Sequence, residues 1–291
     1  MSSVSFYILD VFTEKKYSGN QLAVFVNAGG ISSEEMQSIT REINFSETTF
    51  ILSDEPRDGG FDVRIFTPKE ELPFAGHPTL GTAHIIHTYI MKRASDTVIL
   101  NEKVGQIPVS FSPDGSGWMK QMPPIFGQVH EPDMLAGILS VDPSEIDTRF
   151  PIQQVSTGLP FFIVPLKKIA SLKKAQVDKA RYYDLIDGTP AKSILVFCPE
   201  THEPQNQLSV RVFTDYYGMP EDPATGSANG CLAGYLVHYR YFRKDSLDIL
   251  VEQGYEIERP SILHLKAEQV ADHINVFVGG KSVVVACGEW M

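Results

Sequence analysis

The chain has 291 residues, 43% hydrophobic and 21% charged, with a formal net charge of -11; that length builds one large domain or two ordinary ones, and the composition excludes disorder. The negative field argues against nucleic acid and anionic membrane as partners, while a small anionic substrate stays open because a local site can be positive inside a negative molecule. Cys198, Cys231 and Cys287 show no CxxC spacing, and with no signal-like N-terminus and no long apolar run the expectation is a reduced, cytoplasmic protein with no membrane span.

The opening SFYILDVF and the following QLAVFV are predicted strands of a hairpin, separated by the turn signal at Ser18, Gly19 and Asn20. SSEEMQSITREIN is a predicted helix: Ser32 and Glu35 have capping-box spacing, Ile31 staples the first turn, and Met36, Ile39 and Ile43 share a face. FSETTFIL and GFDVRIFTP read as strands, the apolar run after Pro78 as a second helix, and TVILNEKVG and QIPVSFS as strands again. The Pro-rich QMPPIFG and polar EPDMLAGILSVDPSEID read as the connection between two lobes. QQVSTGLPFFIVPL then restarts the strands and VDKARYYDLI the helices.

An internal repeat organises these elements. Arg64-Ile65-Phe66-Thr67 is matched by Arg211-Val212-Phe213-Thr214, and each is followed by a proline opening a small-residue helix, eleven residues on at Pro78 and nine on at Pro223. The predicted fold is α+β, with two pseudo-repeated lobes, each a strand-rich, barrel-like sheet around a central helix. The predicted lobes are 1–125, with the tail 280–291 a candidate to pack on it, and 126–291.

Proline suits the first helical position, which places His77 and Asp222 at the N-caps of the two small-residue helices. Helix starts present unpaired N–H groups and partial positive charge, so two in one cleft would bind a carboxylate without Arg or Lys. From position alone a structural cap is the simpler reading of both residues. Near a helix start the His77 imidazole is expected to favour its neutral form. Gly226, Gly230 and Gly234 leave a bare stripe for close backbone packing of a central helix.

Glu47 is expected within a strand, on the face of Phe45, Thr49 and Ile51; partial burial would raise its pKa to a general-base value, though alternation equally allows an edge carboxylate in water. His84 and His87 read as helix-packing residues, since no nearby carboxylate completes a metal set with His77. The chain contains no GxxxxGK[ST], HExxH or GxSxG, so no metal and no nucleotide cofactor is expected.

Five stretches, GNQLAVF, NFSETTF, ELPFAGHPTLG, RVFTDYYGMPEDPATGSA and VEQGYEIERPS, together resemble the PhzF family of phenazine-biosynthesis-like isomerases, which share the diaminopimelate epimerase fold. The resemblance implies an active site in the cleft where both central helices begin. It carries the acid/base role to Glu47, with His77 and Asp222 as further catalytic residues. The substrate-binding positions are then Gly76, Pro78, Thr225, Gly226, Ser227 and Asn20. Diaminopimelate epimerase and proline racemase use one cysteine per lobe at these places, but FAGHP and PATGSA contain none, which argues against a two-thiol racemase. Gln21 departs from the family's usual proline, in what reads as a turn. The expected activity is a cofactor-independent isomerisation that moves a proton between carbons of a small carboxylic acid, in a homodimer. The rivals are a noncatalytic organic-anion-binding protein and a lyase or hydrolase using the same glutamate.

Overall fold

The computed structural model describes residues 3–291. The chain divides into two compact units, one of residues up to Lys120 together with Gly279–Met291, the other Gln121–Val278.

In the first unit, β1 (Val4–Val11) and β2 (Asn20–Phe25) form the expected antiparallel hairpin. Helix α1 (Ser33–Ile43) starts at Ser32, whose hydroxyl accepts from the Glu35 amide, and buries Met36 and Ile39 against the sheet. It crosses back so that β3 (Thr48–Ile51) runs parallel to β2, with Ala23 beside Thr48. β4 (Phe61–Phe66) is antiparallel to β3, and the short β5 (Glu71–Leu72) is antiparallel to β4. Then come α2 (Gly76–Ile85), a π-helical turn closed by Met91 N–H on Ile86 O, and β6 (Thr97–Glu102), β7 (Gly105–Phe111) and β8 (Gly117–Lys120). Every residue of β3 is buried, because α1 covers one face and α2 the other; hence TTFI, a strand without charge.

The second unit opens with β9 (Ile125–His130), α3 (Pro132–Leu139), β10 (Ile152–Ser156) and β11 (Pro160–Pro165). The stretch expected to be a connection is therefore structured: Leu135, Ala136, Ile138 and Leu139 are buried in a core with Tyr182 and Phe162. Its charged residues hid an apolar stripe of helical spacing. Helices α4 (Ile169–Lys174) and α5 (Lys179–Ile186) cross to β12 (Ser193–Cys198), parallel to β11. β13 (Leu208–Thr214), β14 (Met219–Asp222), α6 (Gly226–His238), β15 (Ser246–Gln253), β16 (Ser261–Val270) and β17 (His273–Gly280) complete it. The last strand, β18 (Ser282–Trp290), pairs with β1 in the first unit.

The repeat holds pairing by pairing. β2‖β3, β3 against β4, β4 against β5, β4‖β6 and β6 against β7 are matched by β11‖β12, β12 against β13, β13 against β14, β13‖β15 and β15 against β16. The arginines of RIFT and RVFT do the same task in each: Arg64 makes a forked pair with Glu71 at 2.8 Å, and Arg211 with Glu221 at 3.0 and 2.7 Å. Each clamps the strand that leads into its central helix. Among the described residues no helix is long and apolar enough to cross a membrane.

Candidate active site

The parallel strands β2 and β3 bring their N-terminal ends together, and α2 begins beside them. Asn20 and Gln21 open β2, and Glu47 stands one residue before β3. Glu47 is therefore not a strand residue as expected: pairing with β2 begins only at Thr48, after the left-handed Asn44 ends α1.

Nor is His77 an N-cap. Ala75, extended at φ -153°, occupies that place, and Gly76, His77 and Pro78 form the first turn. Proline lacks an N–H that no first-turn position needs for the helix, so its presence did not distinguish the first position from the third. The N-cap residue Ala75 has no side chain able to cap this start, and the first-turn amides of Gly76 and His77 lie at the helix's partial positive charge.

Asn20, Glu47 and His77 converge. His77 Nε2 lies 3.5 Å from Glu47 Oε2 and 3.3 Å from the Gln21 carbonyl oxygen. Asn20 Nδ2 lies 3.3 Å from His77 Nδ1, and Ser46 Oγ lies 3.5 Å from Asn20 Oδ1. An amide nitrogen only donates, so Nδ1 accepts and the imidazole proton is assigned to Nε2, aimed at Gln21 O and Glu47. Gln21 lies in strand β2 rather than in a turn, and it serves through its backbone carbonyl with its side chain exposed.

The Glu47 side chain keeps 18% of its surface, yet Oε2 is sealed from solvent and has no hydrogen-bond partner among the described residues. Burial lifts its carboxyl from an ordinary 4.5 to about 7, against a lowering hydrogen bond from Ser46. A carboxyl poised there serves as base and then as acid near neutral pH.

In the second unit, Asp222 ends β14 and Thr225, not Asp222, is the N-cap of α6. Asp222 stays paired to Val212 of β13, and Gln253 Nε2 holds the Asp222 carbonyl at 2.8 Å, so the chain remains extended past Pro223. Thr225 Oγ1 donates to Asp222 Oδ2, and the Thr225 amide donates to Gln253 Oε1 at 3.2 Å. The Thr225 side chain does not cap α6 either, and Gly226 and Ser227 supply its first amides. Along the stripe, a side chain at Gly230 would press on Gln121 and Thr157, and one at Gly234 on Pro124 at 2.8 Å; side chains rather than backbone fill it.

Sequence reasoning missed Ser46 and Gln253, although both lie in stretches that carried the family resemblance. Cys231 is buried against Leu159 O at 3.4 Å, and burial pushes its thiol, like that of Cys198, up to about 12. Neither is a thiolate base. His87 stacks on Phe111 at 4.1 Å, a packing role.

The sequence profile of the family described as phenazine biosynthesis-like protein matches residues 9–288. The chain is 33% identical to the trans-2,3-dihydro-3-hydroxyanthranilate isomerase of Pseudomonas aeruginosa, over 98% of each chain. It is 34% identical to the isomerase of that name from Pseudomonas chlororaphis, over 97% of this chain and 98% of the other. A crystal structure of a Bacillus anthracis phenazine biosynthesis protein of the PhzF family matches with TM-score 0.89 at 26% identity, over 100% of both chains. A probable proline racemase from Agrobacterium radiobacter shares the fold, with TM-score 0.63 at 10% identity over 99% of this chain and 93% of that one. The chain belongs to the phenazine biosynthesis-like (PhzF) family, and it is an isomerase.

Proposed function

We propose that this isomerase moves a proton between carbons of a small cyclic or unsaturated carboxylic acid, with Glu47 as the acid/base. The observation that carries the reading is the Glu47 carboxyl: buried, raised to about 7, one oxygen unpartnered among the described residues, and set beside the His77 imidazole at the start of α2.

In this reading ionised Glu47 takes a proton from carbon. Negative charge spreads toward the substrate carboxylate, where first-turn amides stabilise it as it develops. Gly76 and His77 supply such amides in the first unit. Protonated Glu47 then returns the proton at a second carbon, with His77 Nε2–H orienting the carboxyl and a polar substituent. Asp222, Thr225, Gly226 and Ser227 belong to the proposal as the substrate-serving residues at the start of α6, an extension supported by the repeat.

The relatives' names supply the first compound to test, trans-2,3-dihydro-3-hydroxyanthranilate. Wild type should convert it to an isomer of unchanged mass, with deuterium entering carbon in heavy water. Conversion by Glu47→Gln at the wild-type rate would remove Glu47 from the mechanism. A product of changed mass would favour a lyase or hydrolase, and tight binding without turnover of any related acid an anion-binding protein.

A further inference from the structure

Each unit sets a polar side chain from the end of a strand beneath the first turn of its central helix. In the second unit this is Gln253. β13 and β15 are in parallel register through Leu208↔Val251 and Val210↔Gln253, and β4 and β6 through Phe61↔Leu100 and Asp62↔Asn101. Matching Arg64 with Arg211 makes Glu102 the counterpart of Gln253. The N-caps Ala75 and Thr225 correspond, and so do Thr79 and Asn229, whose amides donate to the N-cap carbonyls at 3.2 and 3.1 Å.

The hydrogens decide the state of Glu102. Asn229 Nδ2 carries two, and it donates to Thr225 O at 3.0 Å and Gln253 Oε1 at 2.8 Å. Thr79 Oγ1 makes the matching contacts, 2.7 Å to Ala75 O and 2.6 Å to Glu102 Oε1. A hydroxyl has one hydrogen, and a carbonyl and a carboxylate both only accept. With Glu102 ionised, one of these short contacts would hold no proton.

We infer that Glu102 carries a proton in the folded protein, donates it to Thr79 Oγ1 while Thr79 donates to Ala75 O, and so acts as a positioning residue for the first turn of α2, on which Gly76 and His77 lie.

The surroundings agree. Glu102 is 8% exposed, and its Oε2 has no partner among the described residues. Where this protein buries an ionised carboxylate it supplies donors: Glu252, 1% exposed, receives the His202 and Glu203 amides, Asn206 Nδ2 and Ser209 Oγ at 2.7–2.9 Å. Burial raises Glu102 from 4.5 to about 7, opposed only by Thr79. The ionisable groups on the elements around it are otherwise engaged. Arg64 of β4 and Lys103 of the β6–β7 turn pair with Glu71 of β5, Asp62 pairs with Arg57, and His77 faces Glu47. His84 and His87 lie further along the helical segment, where burial lowers both from the ordinary 6.5.

Infrared difference spectra of wild type minus Glu102→Gln test the assignment. At about pH 6 wild type should show the carbonyl stretch of a protonated carboxylic acid, absent from Glu102→Gln, retained in Glu47→Gln, and fading as pH rises through about 7. Stability linked to Glu102 is present below its ordinary pKa and lost as pH rises through the folded one, so the melting temperature of Glu102→Gln should gain on wild type between about pH 5 and pH 8. No lost band, or melting curves that stay parallel across pH, would overturn the inference. Should Glu102→Gln not fold, 13C NMR of glutamate-labelled protein decides. Two carboxyls should titrate near 7 in wild type and one in Glu47→Gln; a single one in wild type overturns it. None of these readouts depends on the substrate, so they stand or fall apart from the proposed reaction.

Discussion

His77 is pinned on both sides of its ring: Asn20 Nδ2 lies 3.3 Å from Nδ1, while Nε2 faces Gln21 O at 3.3 Å and Glu47 Oε2 at 3.5 Å. A ring held this way keeps one tautomer and one orientation. Its proton lies beside Glu47 Oε2, the carboxyl oxygen that has no hydrogen-bond partner among the described residues. Three chain segments meet here, where two parallel strands begin and a helix starts.

Glu47→Gln keeps the shape and removes the titratable proton. Turnover should fall by about 10²–10⁴-fold, the usual worth of a positioned acid/base, with substrate binding changed only a few-fold. Product formation and equilibrium binding, measured on the same preparation, check the split. A parallel loss of binding would assign Glu47 to holding the substrate instead.

The pH dependence has a definite sign. In the proposed reaction Glu47 acts first as a base, so kcat/KM should rise with pH through an apparent pKa of about 7. Stability runs the other way: a carboxyl raised from 4.5 to about 7 contributes stability below pH 4.5 that is lost as pH rises through 7. At about 1.4 kcal/mol per tenfold change in proton affinity, Glu47→Gln should gain about 3 kcal/mol on wild type between pH 4.5 and pH 8. Urea unfolding at both ends of that range measures it. Activity and stability trade against each other at this residue.

Much of this was legible in the sequence because local signals and the repeat agreed. Ser32 capped α1 as its spacing said, and RIFT and RVFT occupy matched strands. What escaped depended on distant partners. Nothing near EPDMLAGILS reveals that Tyr182 and Phe162 will cover its apolar stripe. The prolines marked helix starts, but the offset at Pro223 is set by strand pairing and by Gln253, about thirty residues downstream. Glu47 read equally well as buried or solvated, since its burial comes from α2 and β2, which alternation within one strand does not register. The acids matched to Arg64 and Arg211 went unnoticed because Glu71 and Glu221 stand at different separations, seven and ten residues on.

Asn20→Asp tests the tautomer. An aspartate at that place accepts and does not donate, so His77 should move its proton to Nδ1 and turn a lone pair toward Gln21 O and Glu47. Turnover should drop about tenfold or more, corresponding to at least about 1.4 kcal/mol in the barrier. The 15N shifts of His77 should exchange their protonated and unprotonated positions. Unchanged shifts would mean that Asn20 does not set the tautomer.

The motif VEQGYEIERPS gains a physical reason from Gly254, and with it a sharp prediction. Gly254 has φ +78°, and a Cβ there would lie 2.4 Å from Arg259 O and 2.6 Å from Pro223 O, both backbone atoms. Next to it, Gln253 ties together Asp222, Thr225 and Asn229. Gly254→Ala therefore adds a clash between backbones to the ordinary strain of a left-handed alanine, and should destabilise by about 3 kcal/mol or more. Gly115→Ala is the control: φ is +86° there too, but nothing lies within 4 Å of the added Cβ, so only about 1 kcal/mol of conformational strain applies. Denaturant midpoints of the two variants separate the contributions. If they matched, the close approach to Pro223 would carry no energy, and the glycine would be explained by its backbone angle alone.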